Sequence, residues 1–483
     1  MACKCGKKNC KCGKSELLYI MNPKCGWCTK ADPVVAELVE KGYKITTLDI
    51  TNQDDAKKAA AVQEKHNTQC GTPLFLDANS GNMVCGFRPD VLEDWAKGEE
   101  IPAPPPRQMP PQQQPQGPGP QQQPQGPQLI KFEYIWLDGN ASKNIRSKIR
   151  FVKLDRSKIN SPLDLINHIP DWSFDGSSTN QADGDESDCI IKPVKVVPNT
   201  TERARTPSFI VLCEVYDHEE NPHKTNSRAT LKNTLKETNQ DDMWFGVEQE
   251  YTMVNKDTYK PIGWPGDNVM PRPQGEYYCG VGADSVQGRE IAESHAMACN
   301  GSGVPVSGIN AEVMLSQWEY QIEPMSALEA ADNVWISRFI LQRLAEMTNV
   351  AISYHPKPVE GDWNGSGAHI NFSTKFMREH ADMSYMNFVC VNMEKYHDEA
   401  ISCYGVDNDK RLTGKYETSS IDKFTWGEMD RNASIRIPVH TVNNDGKGYL
   451  EDRRPAANVD PYEAFNHLIN VSVSINEELL ITT

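Results

Sequence analysis

Hydrophobic positions recur along the chain with two periods, and the period in force at each place predicts the local element. Over residues 15–100, the short apolar runs ELLYIMN, KITTLDI, PLFLDA and NMVCGF predict strands. Between them CTKADPVVAELVEKG, DDAKKAAAVQEKHN and DVLEDWAKG space their apolar residues at helical intervals. Alternation of this kind predicts a small α/β domain. Both patterns then stop. Residues 101–128 repeat QQQPQGP and offer almost nothing to bury, so they predict a disordered Pro/Gln linker.

Beyond the linker FEYIWLD, SKIRFVKL and SFIVLCEVYD read as strands, and from residue 229 helices alternate with short apolar strands. Ser326-Ala327-Leu328-Glu329 has the spacing of a capping box and predicts a long helix ending near Val350, with Trp335 and Phe339 as packing residues. WFGVEQEYTMV, residues 244–254, alternates like a strand whose core face carries Phe245, Val247, Tyr251 and Met253. Its other face places Glu248 and Glu250 side by side, an arrangement that repels unless positive charge lies between them.

The 483 residues carry a formal charge of −16, which disfavours nucleic acid or an anionic membrane as the main partner. No apolar run approaches the length of a membrane span, so a cytoplasmic protein with small-molecule or protein partners is expected. Of 14 cysteines, eight precede residue 101, which concentrates thiol chemistry at one end and argues against a disulfide framework through the chain.

Within that end Cys25-Gly26-Trp27-Cys28 falls where a strand gives way to a helix, a place where amide groups and the helix dipole lower a thiol pKa. Cys3, Cys5, Cys10 and Cys12 could furnish one tetrahedral soft-metal site, but a flexible tail over residues 1–14 is the simpler reading. With Pro73 of GTPLF, residues 15–100 resemble a thioredoxin or glutaredoxin fold. The resemblance implies attack by Cys25 on the disulfide of an unknown thiol partner and resolution of the mixed disulfide by Cys28. CGFRPD at 85–90 departs from the paired glycines with which glutaredoxins bind glutathione.

In the larger region acidic residues recur inside apolar segments. NAEVMLSQWEYQI carries Glu312 and Glu319 on what reads as a hairpin, WNGSGAHINFS carries His369, and GYLEDRRP carries Glu451 beside arginines. Together with Glu248 and Glu250 these make an oxygen-rich ligand set suited to Mg²⁺ or Mn²⁺. Cations and arginines around such a cluster point to phosphoryl transfer, and no Walker or kinase motif is present.

The stretches WSFDGSST, WFGVEQEY, GEYYCGVGAD, NAEVM, QWEYQI, NGSGAHINFST, RLTGKYETS, ASIRIP and EDRRPAANVDPY resemble eukaryotic-type glutamine synthetases in order from about residue 130 onward. The resemblance implies an α+β protein with a β-grasp domain at 129–225 and a catalytic domain of antiparallel sheet and helices at 226–483. It implies ligation of ammonia to L-glutamate at the expense of ATP, through γ-glutamyl phosphate. Glu250, Glu312 and Glu319 correspond to ligands of one Mg²⁺ or Mn²⁺, and Glu248, His369 and Glu451 to those of a second. Arg436 and Arg453 would stabilise the transferred phosphoryl group; Asn364, Gly365, Arg411 and Arg453 would hold glutamate; Trp244, Asn371, Ser373, Arg431, Arg436 and Tyr449 would surround the nucleotide. Asp175 would take the proton of ammonium in a neighbouring subunit's site, Glu417 would lie on a closing flap, and a decamer of two pentameric rings is expected. Glu323, Lys410 and Asp430 depart from the family pattern. The alternatives are a ligase for another amine and an inactive scaffold whose thiol domain recruits partners.

Overall fold

The computed structural model describes residues 16–66, 68, 70–99, 101, 127–155, 162–202, 206–265 and 271–482. Cys3, Cys5, Cys10 and Cys12 and nearly all of the expected linker lie outside the described residues. Two compact units follow one another, Met1–Gln121 and Gln122–Thr483.

The first unit is built on a four-stranded sheet of β1 (Leu17–Met21), β2 (Ile45–Asp49), β3 (Leu74–Asp77) and β4 (Met83–Cys85), in the order β2-β1-β3-β4. The first pair is parallel and the others antiparallel. Alternation decides which face each side chain serves. Leu17, Tyr19 and Phe75 pack with the helices Gly26–Glu40 and Leu92–Lys97, whereas Leu18, Ile20, Leu74 and Leu76 pack against the helix Gln53–Lys65. Cys25 is the N-cap of the first helix, and the Thr72-Pro73 peptide bond is cis. A disulfide joins Cys70 to Cys85, a pairing the sequence spacing does not suggest.

The second unit holds two sheets. The smaller has the order β6-β5-β9-β8-β7, from β5 (Gln128–Leu137), β6 (Ile145–Leu154), β7 (Trp172–Asp175), β8 (Asp188–Pro198) and β9 (Ser208–Tyr216). One of its faces closes a core of Phe132, Tyr134, Trp136 and Phe174. The other contributes Ile135, Val197, Ile210 and Leu212 to the main core.

The larger sheet runs β11-β12-β10-β14-β17-β16-β15, with β13 (Val350–Ser353) also paired to β10. Its remaining strands are β10 (Trp244–Asn255), β11 (Val306–Ala311), β12 (Gln317–Ser326), β14 (Ala368–Ser373), β15 (Trp426–Glu428), β16 (Ile435–Ile437) and β17 (Leu450–Asp452). Helices Arg289–Gly301, Ala327–Met347 and Pro461–Thr482 contribute to the core behind it. The Ala327–Met347 helix departs from expectation at both ends. Ser326 is its N-cap but makes no side-chain capping bond, and the helix stops at Met347 so that Val350 can open β13. Trp335 and Phe339 are buried.

Buried Arg338 donates from Nε and Nη2 to Gln249 Oε1, at 3.0 and 2.6 Å, and from Nη1 to the carbonyl of Val459 at 2.8 Å. Gln249 lies between Glu248 and Glu250 in sequence but on the opposite face, so this grip from the core fixes the strand that presents both carboxylates. No described helix is long and apolar enough to cross a membrane.

Candidate functional site

Strand register explains how residues distant in sequence meet. On β10, Glu248 stands opposite His369 of β14 and Glu250 opposite Glu319 of β12. Asn371 of β14 stands opposite Glu451 of β17, which in turn pairs with Arg436 of β16. β11 and β12 form the expected antiparallel pair, with Asn310 opposite Glu319 and Glu312 in the connection.

A cavity of about 650 Å³ opens here, and its lining includes Glu248, Glu250, Glu312, Glu319 and His369. Asn364, Gly365, Arg411, Glu417, Arg431, Arg436 and Arg453 line it too. A second cavity of similar volume, bordered by Lys143, Lys224, Glu463 and His467, contains none of the predicted site residues.

Glu451 is almost wholly buried and is held by two arginines, Arg436 Nη1 at 2.7 Å and Arg453 Nη1 at 2.6 Å. One carboxylate oxygen of Glu250 is held by amides. The Gly367 N–H donates to its Oε2 at 2.7 Å, and Gln317 Nε2 lies 3.3 Å from the same atom. Asn310 Nδ2 donates to Glu312 at 2.8 Å, and Gln321 Nε2 donates to Glu319. The sequence reading missed these amides, although alternation places Gln317 and Gln321 on the same face as Glu319.

Burial pushes Glu250 above the ordinary carboxylate range, opposed by Arg411. Glu312 rises to about 8 through burial and the charge of Glu250. Glu319 rises well above its usual value through burial and the charges of Glu248, Glu250 and Glu312. His369 is driven far below the usual imidazole range by burial and by Arg453, so it stays neutral. Mutual repulsion among buried carboxylates beside a neutral imidazole is the electrostatic signature of a cation site.

Among the described residues, ligand atoms of Glu248, His369 and Glu451 converge within 4.8 Å of one another. His369 Nδ1 is buried without a hydrogen-bond partner, 3.4 Å from Glu451 and 3.6 Å from Glu248. An orphaned nitrogen facing two carboxylates fits a divalent cation. Glu250, Glu312 and Glu319 share the cavity, where the charge of Glu250 raises the pKa of Glu312 and both raise that of Glu319, without the three converging so closely.

Other expected residues lie around this centre. Trp244 stands opposite Ser373 in register, with the Arg378 guanidinium 4.2 Å from the Trp244 ring and Arg378 Nη1 3.0 Å from Ser373 Oγ. Asn371 Nδ2 donates to Glu248 at 2.8 Å. Burial raises the phenol pKa of Tyr449, reinforced by Glu248 and Glu451. Asn364 donates its N–H to Gln274 Oε1 at 2.6 Å.

Glu417 lies on an exposed loop whose base is closed by an isolated bridge between Thr413 and Ser420. Tyr416 and Glu417 both adopt the left-handed conformation, with φ of 57° and 59°. The Tyr416 hydroxyl donates to Asp362, and Lys357 Nζ lies 4.9 Å from the Tyr416 ring. Asp175 does not line the cavity of its own chain. It ends β7, where Ser177 and Ser178 hydroxyls each donate to it at 2.6 Å, and these bonds lower its pKa.

In the first unit the Cys25 thiol is depressed, chiefly by the Cys28 N–H, then by the Cys28 thiol and the Trp27 N–H. Cys28 is buried, which raises its own pKa. Trp27 is exposed beside the pair.

A family model described as glutamine synthetase, catalytic domain, matches residues 224–474. The chain is 49% identical over 341 residues to a chloroplastic glutamine synthetase of Chlamydomonas reinhardtii, covering 70% of this chain and 89% of that one. It is 46% identical over 330 residues to a glutamine synthetase of Yarrowia lipolytica, covering 68% and 87%. A solved structure of Plasmodium falciparum glutamine synthetase superposes with a TM-score of 0.57 at 18% identity, over 72% of this chain and 73% of that one, which speaks to the fold.

Proposed function

The chain belongs to the glutamine synthetase family, and we propose on that premise that it joins ammonia to L-glutamate at the expense of ATP, in two steps within the 650 Å³ cavity. The observation that carries this reading is the convergence of Glu248, His369 and Glu451 beside Arg436 and Arg453. Glu248, His369 and Glu451 would hold one divalent cation and Glu250, Glu312 and Glu319 another. When bound, such cations neutralise phosphate charge, and either Mg²⁺ or Mn²⁺ suits oxygen-rich ligands.

The nucleotide would enter along the Trp244–Ser373 edge, with Asn371, Arg431 and Tyr449 nearby. Arg411, Asn364 and Gly365 would hold glutamate with its side-chain carboxylate toward the γ-phosphate. That carboxylate oxygen attacks phosphorus, ADP leaves, and γ-glutamyl phosphate forms. Arg436 and Arg453 offset the charge that spreads over the equatorial oxygens. Ammonia then attacks the acyl carbon and phosphate leaves, giving glutamine.

Ammonium has no lone pair, so a carboxylate must first bind it and accept a proton. Asp175 would perform this in the site of an adjacent subunit of a ring assembly, which accords with its place outside its own cavity. Glu417 would close the site and exclude water from the acyl phosphate. The experiment is phosphate release from ATP by the purified full-length chain: it should require glutamate and rise with ammonium. Release indifferent to ammonium overturns the reading.

The same reading assigns the first unit a thioredoxin-like fold and thiol–disulfide exchange, with Cys25 attacking a partner disulfide and Cys28 resolving the mixed disulfide. The depressed Cys25 thiol at a helix N-terminus supports it. Reduction of a small-molecule disulfide, lost in Cys25→Ser, is its test.

A further inference from the structure

Glu248, Glu250, Glu312 and Glu319 border the cavity, and every one of them accepts a hydrogen bond from an amide. An amide leaves a carboxylate its charge, so these acids stay available to a cation. What the amides remove is a choice of oxygen.

Gln321 does this for Glu319. Its Nε2 donates to Glu319 Oε1 and, at 2.9 Å, to Asn310 Oδ1, so both of its protons are committed. An ionised carboxylate only accepts, which fixes Nε2 rather than Oε1 of Gln321 toward Glu319. Gly308 stands opposite Gln321 on β11, and a methyl group on its Cα would strike Gln321 Oε1. The amide is therefore seated by the strand beside it. Asn310 carries the network on, donating from Nδ2 to Glu312 Oε1 at 2.8 Å, while the Val313 N–H lies 3.2 Å from Oε2 of that acid.

Glu250, which faces Glu319 in register, is treated alike. The Gly367 N–H and Gln317 Nε2 both approach its Oε2, at 2.7 and 3.3 Å. A carboxylate oxygen has two lone-pair directions, so two donors there leave ligation to Oε1. Gln317 is buried, and its Nε2 also donates to the Gly365 carbonyl at 2.9 Å, which anchors it in the wall.

We propose that these amides, Gln321 first among them, select the cation: with one oxygen of Glu319 and of Glu250 occupied, each acid ligates through the other oxygen alone. Single-oxygen ligation suits the compact octahedral shell of Mg²⁺ and of Mn²⁺. Ca²⁺ gathers up to about eight oxygens and takes carboxylates through both, so it is disfavoured. Gln321 and Gln317 are positioning residues, acting through the acids they hold. The selection rests on the cation reading of this cavity, to which the unpartnered His369 Nδ1 contributes.

The test counts bound metal instead of turnover. Mn²⁺ uptake by the purified full-length chain is followed through the electron paramagnetic resonance of free Mn²⁺, in competition with Mg²⁺ and separately with Ca²⁺. The unaltered chain is compared with Gln321→Met and Gln317→Met, since methionine keeps the length of glutamine and removes the donor. Both substitutions spare Glu248, His369 and Glu451, so a cation held there adds the same amount to every chain. In the unaltered chain Ca²⁺ should displace Mn²⁺ about tenfold less effectively than Mg²⁺ does, or worse. Gln321→Met frees the second oxygen of Glu319 and should shift the ratio toward Ca²⁺ by about tenfold, the scale of one interaction with a charged group. Gln317→Met should act in the same sense.

A wall that merely loosens would weaken all three cations alike and leave the ratio where it was. An unchanged ratio in both variants therefore overturns the selection, as does an unaltered chain in which Ca²⁺ competes as well as Mg²⁺. Should one variant fail to fold, the other decides. An unaltered chain that takes up no Mn²⁺ at all overturns the cation reading of the cavity as well.

Discussion

Arg411 Nη2 lies 3.2 Å from His369 Nε2. A guanidinium only donates, so the contact is attractive while Nε2 presents a lone pair, and the single proton of the neutral ring is then on Nδ1. A cation taken by Nδ1 requires the other tautomer, which sets two donors against each other. Divalent cation and Arg411 are thereby linked, and Arg411 is the residue proposed to hold glutamate. Glutamate binding followed by calorimetry should tighten about fivefold or more when Mg²⁺ is added, and His369→Gln should abolish that difference. Equal affinity with and without Mg²⁺ in the unaltered chain contradicts the linkage.

Gly367 is fixed by its surroundings. Its N–H holds Glu250 at 2.7 Å, and a methyl group on its Cα would strike the Arg411 guanidinium. Gly367→Ala should displace Arg411 and lower kcat/KM for glutamate by about 100-fold, the scale set by a misplaced binding group. The thermal midpoint should move by only a few degrees, roughly the effect of a 1 kcal/mol strain in a large domain. An unchanged kcat/KM would show that Arg411 does not act through this packing.

Tyr416 joins the loop of Glu417 to the loop of Asn364 through its bond to Asp362. Both partners are accessible, so the bond can open and close with each turnover. Its net worth of about 1 kcal/mol corresponds to several-fold in the balance of closed and open loops. Tyr416→Phe should let water reach the acyl phosphate, which would raise phosphate released per glutamine formed above one. A ratio held at one, with normal turnover, assigns the contact no part in closure.

His295 sets an acid limit on stability. It is fully buried, its Nε2 is 3.0 Å from the Ser337 carbonyl, and burial lowers its pKa from 6.5 to about 4. Because the folded value is depressed, the stability tied to the neutral ring is complete above 6.5 and is lost as pH falls through 4. A depression of that size is worth on the order of 3 kcal/mol. Between pH 7 and pH 4, the fall in unfolding midpoint should be larger for the unaltered chain than for His295→Gln. Parallel falls would dismiss His295 as a contributor.

The sequence made some of this legible and hid the rest for physical reasons. Alternation around Glu248 and Glu250 exposed the carboxylate face, because a period of two reveals which side chains share a surface. It does not reveal that His369 and Glu451 come to the same place, since that depends on β14 pairing with β10 and on β17 pairing with β14, strands far apart in the chain. Ser326 has the spacing of a capping box, yet the helix begins without its side-chain bond because Ser326 still belongs to β12. The Ala327–Met347 helix is buried over much of its circumference, so its pattern could not mark Arg338 as the partner of Gln249. Cys70 and Cys85 meet only because β3 and β4 fold back on each other.

The grip of Arg338 on Gln249 bears on how such a protein can change over generations. The aim of Glu248 and Glu250 is set from the interior, where a substitution of Gln249 leaves donors of the buried Arg338 unpaired and costs about 1–3 kcal/mol or more. The loops at 272–288 and 413–420, which border the cavity and face solvent over most of their length, lie outside that grip. A selection experiment for a new substrate should accumulate its changes there and leave the strand behind the acids untouched.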